Sequence, residues 1–252
     1  MKQSDPSNNL LERLFKINAQ GSSVKSEVIG GITTFLTMAY IIFVNPSILS
    51  ETGMDYGAVF VATCLAAAIG CLIMGLWANY PVALAPGMGL NAFFTYTVVF
   101  GMGYTWQTAL GAVFFSGIIF FLLSAFRVRE WIIKSIPTTL RLAIAAGIGA
   151  FLALIGLKNA NIIVASDATM VALGDLGDTS VLLAAAGFFL IIGLVARQIQ
   201  GAALISILLI SAIALMLGLV DYEGIVSMPP SLAPTFMQMD IAAAFDLGML
   251  SV

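Results

Sequence analysis

Residues 81–94 read Pro-Val-Ala-Leu-Ala-Pro-Gly-Met-Gly-Leu-Asn-Ala-Phe-Phe, and they lie inside a run, Tyr56–Phe126, that contains no Asp, Glu, Lys or Arg. One membrane-crossing helix needs only about 20 apolar residues, so turn residues must divide this run. Three divisions are visible: Asn79-Tyr80-Pro81, Ala85-Pro86-Gly87 and Gly101-Met102-Gly103-Tyr104. Between the first and the last lies a segment with two prolines, two glycines and an extended character over Val82–Ala85. Helical patterning begins only at Gly89. A helix over Gly89–Val99, roughly 11 residues, crosses about half of a bilayer's hydrocarbon core. Irregular backbone at that depth is tolerated only inside protein or against a cavity. The stretch therefore predicts a broken span, a short extended piece followed by a half-helix. The alternative is an ordinary helix kinked at proline.

Composition agrees with a lipid environment. Sixty per cent of the 252 residues are hydrophobic and 9% are charged, against about 25% charged in a typical soluble domain. Mean hydropathy is +1.05. The spans predicted outward from the broken segment are Val28–Leu49, Ala58–Ala78, Gly87–Phe100, Trp106–Phe126, Pro137–Leu157, Ser180–Ala196 and Gly201–Val220. With seven crossings, Lys2, Arg13, Lys16, Lys25, Arg127, Arg129, Lys134, Arg141 and Arg197 all fall on one side, and Lys158 alone falls on the other. Glu51, Asp55, Asp167, Asp175, Asp178, Asp221, Glu223, Asp240 and Asp246 line the opposite side. Basic residues mark the cytoplasmic face, so the N-terminus is expected in the cytoplasm. A six-span count, with residues 82–100 as a re-entrant loop, would move the Lys134 cluster outside. Leu10, Leu11, Leu14 and Ile17 share a helical face, which suits a short interfacial helix or a simple helical extension.

Several chemistries are excluded. The chain has no histidine, so histidine metal sites, Ser-His-Asp triads and histidine proton relays are absent from it. No cluster of titratable groups falls at membrane depth, which argues against an enzyme; no metal and no cofactor are expected. Cys64 and Cys71 lie seven apart, about 10 Å along a helix axis, too far for a disulfide, and read as small packing residues. No basic patch with interleaved aromatics points to nucleic acid.

Candidate ligand contacts cluster at the half-helix. Asn91 stands in its first turn, and a carboxamide offers a donor beside an acceptor, matching the edges of purines such as N6/N7 of adenine. The competing role is a helix cap. Gly87 and Gly89 would let a flat ligand approach the backbone. Phe94, one turn further, suits stacking on a ring or core packing equally well. In the first span Gly30, Thr33, Thr37 and Tyr40 form a polar stripe, with Thr34 beside it, although threonine hydroxyls often bond back to their own helix. Half-helices that begin near the midplane are the usual site builders of secondary transporters.

An odd number of spans lets a second repeat invert automatically, so the expectation is the first seven-span repeat of a 7+7 inverted-repeat transporter, in a protein about twice as long. The resemblance is specific. Leu11-Glu-Arg-Leu-Phe, Thr33-Thr-Phe-Leu-Thr-Met-Ala-Tyr-Ile-Ile-Phe-Val-Asn-Pro, Ala85-Pro-Gly-Met-Gly-Leu-Asn-Ala-Phe-Phe, Gly103-Tyr-Thr-Trp-Gln and Gly147-Ile-Gly-Ala-Phe-Leu-Ala-Leu-Ile-Gly-Leu-Lys-Asn-Ala together resemble the AzgA-like purine permeases of the nucleobase–ascorbate (xanthine/uracil) superfamily. The resemblance implies an all-α polytopic protein of the cell (inner) membrane with a core domain and a gate domain. It implies proton-coupled uptake of adenine, guanine or hypoxanthine. Its purine-contacting asparagine matches Asn91, and its glycine two residues earlier matches Gly89. Its acidic substrate contacts belong to the eighth and tenth spans, beyond residue 252.

The expected organisation is then a cytoplasmic N-terminus with the interfacial helix at 1–27, core helices one to four at 28–126 and a basic linker at 127–136. Gate helices five to seven follow at 137–220, and 221–252 form an outer loop and the start of an eighth span. Expected partners are a purine nucleobase, protons, the lipid bilayer and a C-terminal half, with a homodimer left open. A same-fold permease for xanthine, uracil or an anion, and a passive channel, are the competing functions.

Overall fold

Apolar helices carry nearly all of the structure, a computed structural model that describes residues 10–17, 19, 21–126, 128, 134–166, 169–220, 224 and 228–245. Helix α1 spans Leu10–Phe15, α2 Val24–Met38, α3 Ile41–Ser50 and α4 Tyr56–Leu76. A five-residue helix, α5 (Met88–Ala92), runs directly into a π-helical stretch, Phe93–Gly101. Then come α6 (Trp106–Ala125), α7 (Thr138–Asn159), α8 (Thr179–Ala196) and α9 (Ala202–Met216). Five helical spans are long and apolar enough to cross a membrane: Val24–Ser50, Tyr56–Leu76, Trp106–Ala125, Thr138–Asn159 and Thr179–Ala196. Met88–Gly101 and Ala202–Met216 are shorter apolar helices.

Local chemistry explains where these helices begin. The Ser23 hydroxyl accepts from the Ser26 amide at the start of α2, and the Thr105 hydroxyl accepts from the Thr108 amide at the start of α6. Asp55 caps Ala58 at 2.7 Å, and Asp178 caps Ser180 at 2.8 Å. Each satisfies an amide that the first helical turn leaves unbonded. Gly201 precedes α9 with φ +75°, a left-handed conformation natural to glycine.

Two features depart from the sequence expectation. The first predicted span is divided, because α2 ends at Met38 and α3 begins at Ile41, with a turn at Ala39–Tyr40. The expected all-α fold also acquires an antiparallel hairpin, β1 (Ile163–Ser166) with β2 (Met170–Leu173), paired Ile163↔Leu173 through Ser166↔Met170. Its strands are short and carry β-branched residues, which favour extended backbone.

The chain falls into two compact units built from non-contiguous stretches. Unit one comprises Met1–Val44, Ala62–Pro86 and Leu182–Ser227; unit two comprises Asn45–Val61, Gly87–Val181 and Met228–Val252. Within unit one, Ser206 donates to the Gly187 carbonyl at 2.9 Å, and a side chain on Gly187 would meet Ile210 at 3.1 Å, so α8 and α9 approach closely through a small residue. Within unit two, Met54, Val59, Phe94, Val98 and Ala109 form the apolar core. There Gly111 of α6 faces the Asp240 carbonyl and Ala244, with no room for a side chain. Many large apolar side chains of the long helices point outward, among them Leu72, Phe121 and Phe189. That is the surface a lipid-facing bundle requires.

Lys2, the polar residues 1–9, Arg127, Arg129, Asp167, Asp221, Glu223 and Asp246, all used in the orientation and boundary readings, lie outside the described residues.

Candidate functional site

The non-helical stretch before α5 follows from its prolines. Proline lacks an amide donor and disfavours helix at the residue before it, so Tyr80 and Ala85 are both pushed toward extended backbone. Residues 80–87 accordingly carry no helical assignment, and helix begins at Met88. Within unit one this stretch is seated on α4. The Cys71 thiol donates to the Leu84 carbonyl at 3.4 Å and accepts from the Leu84 amide at 3.2 Å. One turn edge away, a side chain added at Gly70 would meet the Leu84 Cβ at 3.3 Å. A single thiol thus satisfies both backbone groups of Leu84, groups that non-helical backbone leaves unpaired.

Gly87 is the N-cap of α5, with φ −82° and ψ 115°. The amides of Leu90 and Asn91 both bond to its carbonyl, at 3.0 and 3.2 Å, which leaves the amides of Met88 and Gly89 ahead of the first helical bond. Asn91 therefore occupies the first turn. Its Nδ2 donates to Oδ1 of Asn45, and Asn45 is buried in α3. Two further bonds follow along the same pair of segments. Thr95 Oγ1 donates to the Ile48 carbonyl at 3.2 Å, and the Tyr96 hydroxyl donates to Glu51 Oε1 at 2.8 Å. Lys158 Nζ stands 5.5 Å from the centroid of the Tyr96 ring, within cation–π range.

The five residues singled out from the sequence divide between the units. Gly89, Asn91 and Phe94 belong to unit two, and Thr37 and Tyr40 belong to unit one. Gly89 is packed against α7, where a side chain would meet Ile148 at 3.1 Å, while Gly87 has open space around it apart from Leu90 at 3.9 Å. Phe94 is buried in the core of its unit. The Thr37 hydroxyl bonds back to the Thr34 carbonyl at 2.8 Å, and Thr34 bonds to the Gly30 carbonyl at 2.9 Å. Thr33 instead reaches Gln200 Oε1 at 3.0 Å. Tyr40 stands in the turn between α2 and α3. Unit one also holds a largely apolar cavity of about 500 Å³ whose polar lining includes Glu27, Thr34, Thr63 and Cys71, and which neither Thr37 nor Tyr40 lines.

Two contributors were not singled out from the sequence. Asn45 pairs with Asn91, and Cys71 holds the extended segment. The Asn45-Pro46 dipeptide is visible in the sequence, yet nothing in helical periodicity links it to Asn91. Among the described residues there is no group of three or more His, Cys, Asp or Glu placed to hold a metal ion.

Residues 25–252 match the Permease family (Xan_ur_permease). The chain is 52% identical to the adenine permease AdeP of Escherichia coli (strain K12), over 96% of its own length and 55% of that protein. It is 56% identical to a putative permease of Methanocaldococcus jannaschii, over 96% of its length and 56% of that protein. With the guanine/hypoxanthine permease PbuG of Bacillus subtilis (strain 168) the identity is 44%, over 96% of this chain and 58% of the other. The chain thus spans about half the length of the curated relatives it matches. With its long apolar helices and a match that runs from the start of α2 to the last residue, the chain belongs to the Permease family, a family of multi-pass membrane transporters and not of enzymes.

Proposed function

We propose that this chain is the purine-reading repeat of a proton-coupled nucleobase permease of the cell (inner) membrane. The observation that carries the proposal is the Asn91 carboxamide. It stands in the first turn after a non-helical segment, one amide hydrogen engages Asn45, and no hydrogen bond to its Oδ1 is found among the described residues. A carboxamide so held offers an acceptor beside a donor, which matches the polar edge of a purine. Relatives named as adenine permease and as guanine/hypoxanthine permease both align over 96% of the chain, which supports the purine class over xanthine, uracil or an anion.

In this reading Asn91 hydrogen-bonds the base, and Gly89 and Phe94 hold its turn in place. Thr37 and Tyr40 belong to the polar stripe of the first span. Residues 28–126 form a core that moves against a gate formed by residues 137–220. No Asp or Glu lies between Asp55 and Arg127, and Glu51 at the end of the neighbouring segment is bonded to Tyr96. The proton carrier is therefore assigned to carboxylates of the partner repeat, since intramembrane acids are the usual carriers.

The test is uptake of radiolabelled adenine by cells expressing the full-length protein that carries these residues, with unlabelled bases as competitors. Saturable uptake displaced by hypoxanthine and guanine, and not by uracil, xanthine or sulfate, is expected. Flux that rises linearly with concentration would identify a channel, and displacement by uracil or sulfate in preference to purines would overturn the substrate class.

A further inference from the structure

We infer that Asn45 is a positioning residue that fixes the polarity of the Asn91 carboxamide and so sets how the site distinguishes amino-purines from oxo-purines. The inference rests on the reading of Asn91 as the purine contact and adds to it a second residue and a rule of selectivity.

The geometry begins with spacing. Asn45, Ile48 and Glu51 recur every three residues along α3 and the turn that follows it, and so share a face. Each meets one residue of the Asn91–Gly101 segment: Asn45 meets Asn91, the Ile48 carbonyl meets Thr95, and Glu51 meets Tyr96. Three polar bonds at successive turns hold the two segments in one register. Asn45 is 4% exposed and Thr95 is fully buried. Breaking a bond at that depth leaves a polar group without a substitute in water. The Asn91 amide is therefore pinned, with Nδ2 toward Asn45.

A pinned carboxamide has a direction. With one N–H given to Asn45, Asn91 presents Oδ1 and its second N–H to a ligand in a fixed left-to-right order. Rotating both amides by half a turn would reverse that order. Along the N1–C6 edge adenine carries a donor at N6 beside the acceptor N1, whereas hypoxanthine and guanine carry an acceptor at O6 beside the N1–H donor. The two classes present opposite sequences of donor and acceptor along the corresponding edge. A fixed amide can meet both hydrogen bonds of only one class in a given ring orientation. The other class must turn the ring over or swing a different edge to the amide, and either way brings a different flank against the walls of the site.

The experiment measures KM for adenine and for hypoxanthine in the full-length protein, with membrane abundance determined for each variant. In the unaltered protein the two values should differ by at least about threefold, the size of one imperfect hydrogen bond. Asn45→Leu, branched at the same carbon but unable to accept, should free the Asn91 amide and move the ratio of the two KM values toward unity by about three- to tenfold. Asn45→Ala should do the same, which keeps the test valid if the leucine does not fit. Asn45→Asp, whose carboxylate is an acceptor, should hold the original ratio. A purely structural role would lower abundance or change both KM values together, leaving the ratio in place.

Equal KM values in the unaltered protein overturn the inference. So does an unchanged ratio in whichever of Asn45→Leu and Asn45→Ala reaches the membrane. An Asp variant that loses the ratio as the Leu variant does also overturns it. Absence of any purine uptake by the unaltered protein would defeat the functional reading itself, and that outcome is distinct from the three above.

Discussion

Asn91 has one amide hydrogen engaged by Asn45 and, among the described residues, no further hydrogen bond from its carboxamide, while Gly89 and Phe94 near it are packed. Gly89 meets Ile148, Phe94 lies in the core, and Leu90 is 75% exposed. This division of labour decides what substitutions should do. On the proposed purine contact, Asn91→Ala removes a hydrogen bond to the base, typically about 0.5–1.5 kcal/mol and more where a buried partner is stranded. Adenine uptake by the full-length protein should therefore weaken severalfold or more while membrane insertion stays intact. A well-inserted Asn91→Ala protein with unaltered uptake kinetics would remove Asn91 from the site. The position of Asn91 was legible in the sequence, because Pro-Gly-Met-Gly-Leu-Asn fixes where the helix starts and so which turn the carboxamide occupies. Its partner was not legible. Asn45 lies 46 residues away, and pairing between two helices is set by their packing, which a single sequence's periodicity does not specify. Phe94 illustrates the same limit, since helical spacing places a ring on a face without saying whether that face meets core or ligand.

At the level of elements, six of the seven segments predicted from charge gaps and turn residues appear as unbroken helical stretches close to their expected bounds, the first is divided at Ala39–Tyr40, and five spans are long and apolar enough to cross a membrane. Hydropathy and prolines give existence and approximate limits well. The turn at Ala39–Tyr40 was not anticipated because no glycine, proline or charge marks it, and the hairpin at Ile163–Leu173 escaped because its strands are only four residues long. Cys71 shows how chemistry can hide in a residue that looks like filler: the sequence reads as small-residue packing, yet its thiol bonds both polar groups of Leu84. Replacing it should loosen the extended stretch. Cys71→Ala is expected to lower the thermal midpoint of the purified protein in detergent, with a loss on the order of 1 kcal/mol. Cys71→Ser, which keeps a donor and an acceptor in place, should remain close to the unaltered protein. An alanine variant as stable as the parent would show that the extended segment holds itself.

For the molecule as a whole, the distribution of charge sets the proposed orientation. On the proposed count of seven crossings, Lys25, Lys134, Arg141 and Arg197 fall on one side, and Glu51, Asp55, Asp175, Asp178 and Asp240 fall on the other together with the single dissenting base, Lys158. With the N-terminus in the cytoplasm, a cysteine introduced at Ser231 should react with a membrane-impermeant reagent on intact cells, and one at Ser7 should not, in a protein lacking Cys64 and Cys71. The reverse pattern would undo the count of seven crossings. The two halves of the proposed transporter would then divide their work, this chain reading the base and the partner repeat carrying the proton. Reconstitution tests that division most directly. Full-length protein in proteoliposomes is given radiolabelled adenine, with a pH gradient imposed, acid outside. Saturable accumulation that collapses with a protonophore is expected, and residues 1–252 alone should not support it. Accumulation indifferent to the gradient, or gradient-driven uptake by residues 1–252 alone, would contradict that division.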